Sequence, residues 1–246
     1  MLFHIMTINL FSQYIIIDVL NLEFNNTILI IRNITTQDIP QIINLQKKSF
    51  ADMAKYGMIW PSSYLENHIR IFPEGQLCAE ILHKDDNGNI KHKMIVGSAS
   101  SLIVTLKPQY VKHTWYEVTG NGMFTNHGSS GDSLYGADVS THPQYRRQGI
   151  ASMLYNTRKD LAQKLNLRRI IAGGRLYYYY KYADKISPLE YVGKTIEGEI
   201  KDPVLLFQLK NGFRFIKILP NYLYDKKSLN YAAFIEYVNP YYKKTK

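Results

Sequence analysis

An α+β fold is predicted by three features of the sequence: β-branched runs short enough for strands, amphipathic stretches with capping residues, and one strand–turn–helix–strand unit near the centre. The 246 residues can bury a full core. No repeat, low-complexity tract or internal boundary breaks them up, so a single domain over residues 28–246 is expected, preceded by an extension at 1–27. Hydrophobic and charged fractions of 46% and 20% are those of an ordinary globular chain, leaving the fold to be read from pattern.

The apolar opening "MLFHIMTINLFSQYIIIDVLNLEF" lacks a basic leader, and Asn9, Ser12, Gln13, Asp18, Asn21 and Glu23 interrupt it before membrane-spanning length. It reads as an extension packed on the domain or poorly ordered, with no membrane contact. "ILIIRN" (28–33) is a first strand. Thr35 or Thr36 then caps a helix with Pro40 in its first turn and Ile39, Ile42, Ile43 and Phe50 on one face. A second helix is expected at about 61–71. Residues 76–83 and 91–106 follow as two antiparallel strands, since "DDNGN" between them carries Asn-Gly hairpin chemistry.

Residues 113–132 mix aromatics with Gly, Asn and Ser, as a long ordered loop serving a site would. "SLYGADVST" (133–141) is the next strand. A helix from about 149 to 165 follows, lined by Ile150, Met153, Leu154, Thr157, Leu161 and Leu165. "RRIIAGG" is a buried strand; helices at roughly 187–197 and 203–210 precede the closing strands "FRFIKIL" and "YAAFIEYV".

The net charge of +10 raises nucleic acid as a ligand. The basic residues are spread along the chain, however, and no helix-turn-helix, zinc-finger or aromatic RNA-binding signature occurs, so no nucleic acid partner is expected. A small polyanionic ligand would use the same charge. Cys78 is the single cysteine and sits in a strand-like apolar run, which favours a packing thiol, a reducing compartment and a cytoplasmic protein. Seven histidines at scattered spacings make no metal site.

The chemistry concentrates in "HPQYRRQGIAS" (142–152). Pro143 stops the strand, Arg146 and Arg147 add positive charge, and Gly149 with Ala151 leaves room at a helix start, where free main-chain N–H groups suit a phosphate. Neither the dinucleotide glycine spacing nor the Gly-Lys-Ser/Thr of Walker A is present. Arg146-Arg147-Gln148-Gly149-Ile150-Ala151 instead has the Arg/Gln-x-x-Gly-x-Gly/Ala form of the GNAT-type N-acetyltransferases, and the flanking strand, helix and "LLFQLKNGFRF" resemble that family over about residues 28–238. "FPEGQLCAE", "LNLRRIIAGGRL", "KYADKISPLEYV" and "DPVLLFQLKNGF" look like the acetyltransferase half of bacterial proteins in which such a domain precedes a carbon–nitrogen hydrolase (nitrilase-like) domain. The chain ends at Lys246, so a stand-alone homologue or a separate hydrolase partner is expected.

The resemblance implies a central mixed, mostly antiparallel sheet flanked by helices, and acetyl-CoA (coenzyme A) as cofactor. It implies that Val139, Ser140 and Thr141 bind the pantetheine arm, and that Arg146, Arg147, Gln148, Gly149, Ile150, Ala151 and Ser152 hold the pyrophosphate. Asp138 becomes the general-base candidate, ahead of a water chain from Asp132 or His127. At the place of the family's acid tyrosine stands Gln208, which cannot supply a titrating proton but can hydrogen-bond the sulfur or a pantetheine amide; one of Tyr177–Tyr180 or Tyr182 could take over. On the acceptor side Arg175 is a carboxylate clamp, Tyr177 a wall, and Trp115, Asn126 and His127 belong to a covering loop. The implied reaction is direct attack by a primary amine of a small molecule or protein in a ternary complex, with a homodimer also admitted. The alternative is a non-catalytic acyl-CoA-binding module that regulates or docks a partner.

Overall fold

The computed structural model describes residues 16–22, 26–106 and 112–244. In chain order its elements are β1 (Ile16–Leu22), β2 (Thr27–Asn33), α1 (Ile39–Ser49), α2 (Ala51–Ala54), α3 (Ser62–Ile71), β3 (Gln76–Lys84), β4 (Ile90–Val104), α4 (Trp115–Thr119), β5 (Ser133–Thr141), α5 (Ile150–Lys164), β6 (Arg169–Arg175), α6 (Pro188–Ile196), α7 (Pro203–Lys210), β7 (Arg214–Leu219) and β8 (Ala232–Val238). This is a mixed α+β fold with mostly antiparallel strands and flanking helices. The described residues group into two compact units, those up to Ser100 with Asp138–Leu161, and those of Ser101–Ala137 with those from Ala162 onward.

In the first unit β1, β2, β3 and β4 are neighbours in that order, all antiparallel. The expected extension thus contributes a strand: Ile16–Leu22 pairs with β2, from Ile16 opposite Arg32 to Leu22 opposite Thr27. Residues 1–15 and 23–25, the rest of that extension before Asn26, lie outside the described residues. Alternation along β3 and β4 divides the core. Leu77, Ala79, Ile81 and Val96 face α5 through Ile150 and Leu154, whereas Cys78 and Ile95 face α1 and α3 through Ile39, Ile42, Leu45 and Leu65. The helix following the central turn approaches this sheet closely at Gly97, where a Cβ would come 2.8 Å from Ile150 Cγ2 and 3.2 Å from Leu154 Cδ1. Leu165, expected on the buried side of α5, lies beyond the helix end and is 38% exposed. Cys78 is fully buried, and that burial raises its pKa, as befits a packing thiol.

A buried charge cluster ties β2, β3 and the start of α1. Arg32 donates to Asp38 at 2.7 Å and to Glu80 at 2.8 Å, all three residues being under 7% exposed. Burial alone would raise the Asp38 carboxyl. The Arg32 guanidinium and the N–H of Thr35 outweigh it and hold Asp38 below the ordinary carboxylate range.

In the second unit β5 runs parallel to β6 over Ser133–Gly136, and β8 lies antiparallel between β6 and β7. Arg169 of β6 donates to Ser133 Oγ and pairs with Glu236 of β8, all fully or nearly buried. Asp202 caps α7 by accepting from the N–H groups of Val204 and Leu205, and takes the Tyr191 hydroxyl at 2.7 Å. The loop at 113–132 is ordered by bonds within it and to Ile103, Ala137 and Tyr222, and it contains the short helix α4, which opens on a Thr114–Glu117 capping box. Among the described residues no helix is long and apolar enough to cross a membrane, and no group of three or more His, Cys, Asp or Glu is placed to hold a metal ion.

Candidate functional site

β5 ends at Thr141, and the chain makes one 3-10 turn, Pro143–Tyr145, before entering α5 at Ile150. Pro143 fills the first position of that turn, where its missing N–H costs nothing. Two residues then adopt left-handed backbone: Arg147 at φ 64° and Gly149 at φ 83°. Left-handed residues alternating with ordinary ones curl the chain so that successive N–H groups face one concavity, an anion-binding arrangement. The first helical bond of α5 runs from the Met153 N–H to the Gly149 carbonyl at 3.0 Å. The N–H groups of Ile150, Ala151 and Ser152 therefore precede the helical ladder, at the positive end of a 15-residue helix.

Space and charge agree with this. A Cβ at Gly149 would meet nothing within 4 Å, so the glycine serves the backbone and an incoming ligand rather than protein packing. Arg146, Arg147 and Gln148 are exposed around it. The chain of α1 braces the turn from behind: Ser49 Oγ donates to the Thr141 carbonyl at 3.1 Å, and the Arg146 guanidinium donates to the Ser49 carbonyl at 3.1 Å. A pyrophosphate fits these residues: a concave row of main-chain donors, an open approach over a glycine, and cationic rims.

The strand residues feeding the turn divide by depth. Ser140 is 3% exposed and its hydroxyl meets that of Ser98 at 2.7 Å, while Val139 packs on the core beside Ile150 and Met153. The Ser140 side chain is thus occupied within the sheet, leaving main-chain groups as what Val139–Thr141 can offer. Asp138 opens this segment. Its carbonyl accepts from Arg158 of α5, which also donates to the Ser100 carbonyl at 2.8 Å. Burial lowers the Arg158 pKa, and the charges of Tyr155 and Asp138 oppose that. Sequence reading missed Ser49 and Arg158, since an ordinary helix-end serine and a mid-helix arginine carry no local mark of such ties.

The remaining expected residues belong to the second unit. Gln208 on α7 is 5% exposed; its carboxamide lies against β6, where a Cβ on Gly174 would come 2.0 Å from Oε1, and that oxygen has no hydrogen-bond partner among the described residues. Arg175 pairs with Asp225 at 3.3 Å and stacks over Tyr177 at 5.3 Å. Tyr177 takes a 2.7 Å bond from Lys227, and Tyr179 is buried with its hydroxyl donating to the Ile186 carbonyl. Trp115 is nearly buried and its indole N–H donates to the Ala137 carbonyl at 3.0 Å. Asn126 donates to the Glu117 carbonyl at 2.6 Å, and His127 Nδ1 accepts the Ile103 N–H at 3.1 Å. These three hold the loop's shape.

The model of the acetyltransferase (GNAT) family matches residues 53–177, which include β5, the turn and α5. An uncharacterized N-acetyltransferase of Bacillus subtilis (strain 168), YkwB, is 43% identical over 216 residues, covering 88% of this chain and 91% of that protein. A probable hydrolase of the same organism, YhcX, is 43% identical over 212 residues, covering 86% of this chain; the chain spans 39% of that protein's length. Among solved structures, the loading GNATL domain of CurA from Lyngbya majuscula shares the fold at a TM-score of 0.69 and 19% identity, covering 86% of this chain and 98% of that one.

Proposed function

The chain belongs to the acetyltransferase (GNAT) family, and from that premise we propose that it transfers an acetyl or other short acyl group from coenzyme A to a primary amine. The observation that carries this reading is the turn at 146–152, where left-handed Arg147 and Gly149 precede the free N–H groups of α5. The main-chain N–H groups of Arg147–Ser152 would hold the pyrophosphate, with Arg146 and Arg147 adding charge, and the main chain of Val139–Thr141 would align the pantetheine arm. Bound there, the cofactor supplies an activated thioester.

Transfer needs an amine freed of its proton and a stabilised oxyanion. Asp138 is the proposed base, since it lies on β5 immediately before the segment assigned to the pantetheine arm. Gln208 cannot act as a proton donor, so its proposed part is a hydrogen bond to the donor rather than acid catalysis. Arg175, Tyr177, Trp115, Asn126 and His127 remain proposed acceptor contacts, and their present partners make them framework first. A second reading, an acyl-CoA-binding module that docks or regulates a hydrolase, is favoured by the absent acid at Gln208 and by the hydrolase-named relative.

Incubating the protein with acetyl-coenzyme A and a pooled amine library while following free thiol separates the two. Amine-dependent thiol release supports transfer; tight cofactor binding without release for any amine supports the binding module. For the base, Asp138→Asn is expected to lower kcat by about 100-fold, the lower end for general-base loss. Coenzyme A affinity and melting temperature should stay near wild type. A shifted melting temperature with unchanged kcat would make Asp138 a structural residue.

A further inference from the structure

Gln46 lies in α1 at 3% exposure, and its enclosed side-chain oxygen has no hydrogen-bond partner among the described residues. An unsatisfied buried acceptor is costly, so such an oxygen calls for a donor. Its surroundings follow from the ties of α1 to the sheet of the first unit. Near the start of the helix Gln41 Oε1 accepts the Ile95 N–H of β4 at 3.2 Å, and at its end Ser49 Oγ donates to the Thr141 carbonyl of β5 at 3.1 Å. Gln46 stands one turn after Ile42, which packs with Cys78 and Ile95, and one turn before Ser49. It is therefore held over the same face of the sheet.

That face is polar beneath it. Ser98 lies opposite Cys78 in the β3–β4 register and points the same way, and its hydroxyl meets that of Ser140 at 2.7 Å. Both serines are buried. Two paired hydroxyls spend one proton on each other and keep lone pairs for further donors. Asp138, two residues before Ser140, shares this face of β5. Oxygens of Gln46, Ser98 and Ser140 thus gather beside the proposed base, and such a set suits a group that only donates, as a primary ammonium does. We propose that Gln46 binds the acceptor amine, its Oε1 accepting one N–H of the ammonium that Asp138 deprotonates and the Ser98–Ser140 pair accepting another. The inference rests on the acyl-transfer reading and adds to it the group that orients the amine. Beyond Ser49 the short helix α2 contains no buried residue, so that end of the site is loosely covered.

The test uses Gln46→Met, which keeps the side-chain length and removes the acceptor oxygen, with thiol release followed for the fastest-reacting amine of the pooled library. The KM for that amine is expected to rise about tenfold, the loss of one charge-assisted hydrogen bond. The kcat and the KM for acetyl-coenzyme A should stay near wild type, and the melting temperature should hold or rise, since an unsatisfied buried oxygen has gone. Gln46→Glu, which retains an acceptor oxygen, should bind the amine more tightly than Gln46→Met does. A comparison on the wild type needs no variant: the N,N,N-trimethyl derivative of the same amine, a cation without an N–H, should inhibit only at concentrations well above the amine's KM. Inhibition as tight as that KM overturns the inference and leaves acyl transfer standing. So does an unchanged amine KM in a folded Gln46→Met, and a lowered melting temperature with it would make Gln46 structural. If no amine of the pool releases thiol, the transfer reading fails and this inference fails with it.

Discussion

Replacing Gly149 by Glu is expected to leave the protein folded and to weaken coenzyme A binding by about a thousandfold. Two effects separate cleanly at this position. A side chain at φ 83° costs about 1–2 kcal/mol of backbone strain, but the new Cβ meets nothing within 4 Å, so packing is unaffected. The carboxylate then stands where the cradle would receive a phosphate. Like charges about 4 Å apart in a surface cleft repel by about 4 kcal/mol, close to three powers of ten in affinity. Gly149→Ala is the control. It carries the same strain without the charge, so its melting temperature should match that of Gly149→Glu while most of its binding survives. Calorimetry with coenzyme A checks both; a glutamate variant binding within tenfold of wild type would remove this turn from the site.

Arg32→Met should give a large stability loss, about 3–5 kcal/mol near neutral pH. Arg32 is the cation between buried Asp38 and Glu80, and removing one partner of a buried pair leaves charge without compensation. The sign of its pH dependence is diagnostic. In the wild type the Asp38 pKa is depressed, so its contribution is present above the unfolded value near 4 and is lost as pH falls through the lower folded value. Without the guanidinium only the Thr35 bonds oppose burial at Asp38 and protonation relieves the uncompensated charge, so the gap between variant and wild type should narrow on acidification from pH 7 to 5. Urea unfolding at the two pH values measures this; a gap that widens would contradict the assignment.

Local rules made much of this fold legible. β5 runs from Ser133 to Thr141 and α7 from Pro203 to Lys210, as their patterns predict, because Pro143 and the Asp202-Pro203 cap act through immediate neighbours. The turn itself was visible through Pro143, Arg146, Arg147 and Gly149. What stayed hidden depends on distance along the chain. Nothing in "ILIIRN" marks Arg32 as a buried cation until strand pairing brings Glu80 beside it, and nothing local marks the 3.3 Å contact of Lys48 with His142. Left-handed Arg147 was hidden for another reason, since a non-glycine residue is placed there by its surroundings and not by its own preference. The acceptor side was least legible: Arg175, Trp115 and Asn126 each carry residue types that bind substrates elsewhere, and here each is held by a bond within the fold.

The most direct test of the central claim is a backbone amide NMR titration with coenzyme A, repeated with inorganic pyrophosphate. The largest shifts common to both ligands should fall on the N–H groups of Arg147–Ser152, with Gly149 and Ile150 foremost. Saturable coenzyme A binding that leaves those amides unmoved while others shift would contradict it.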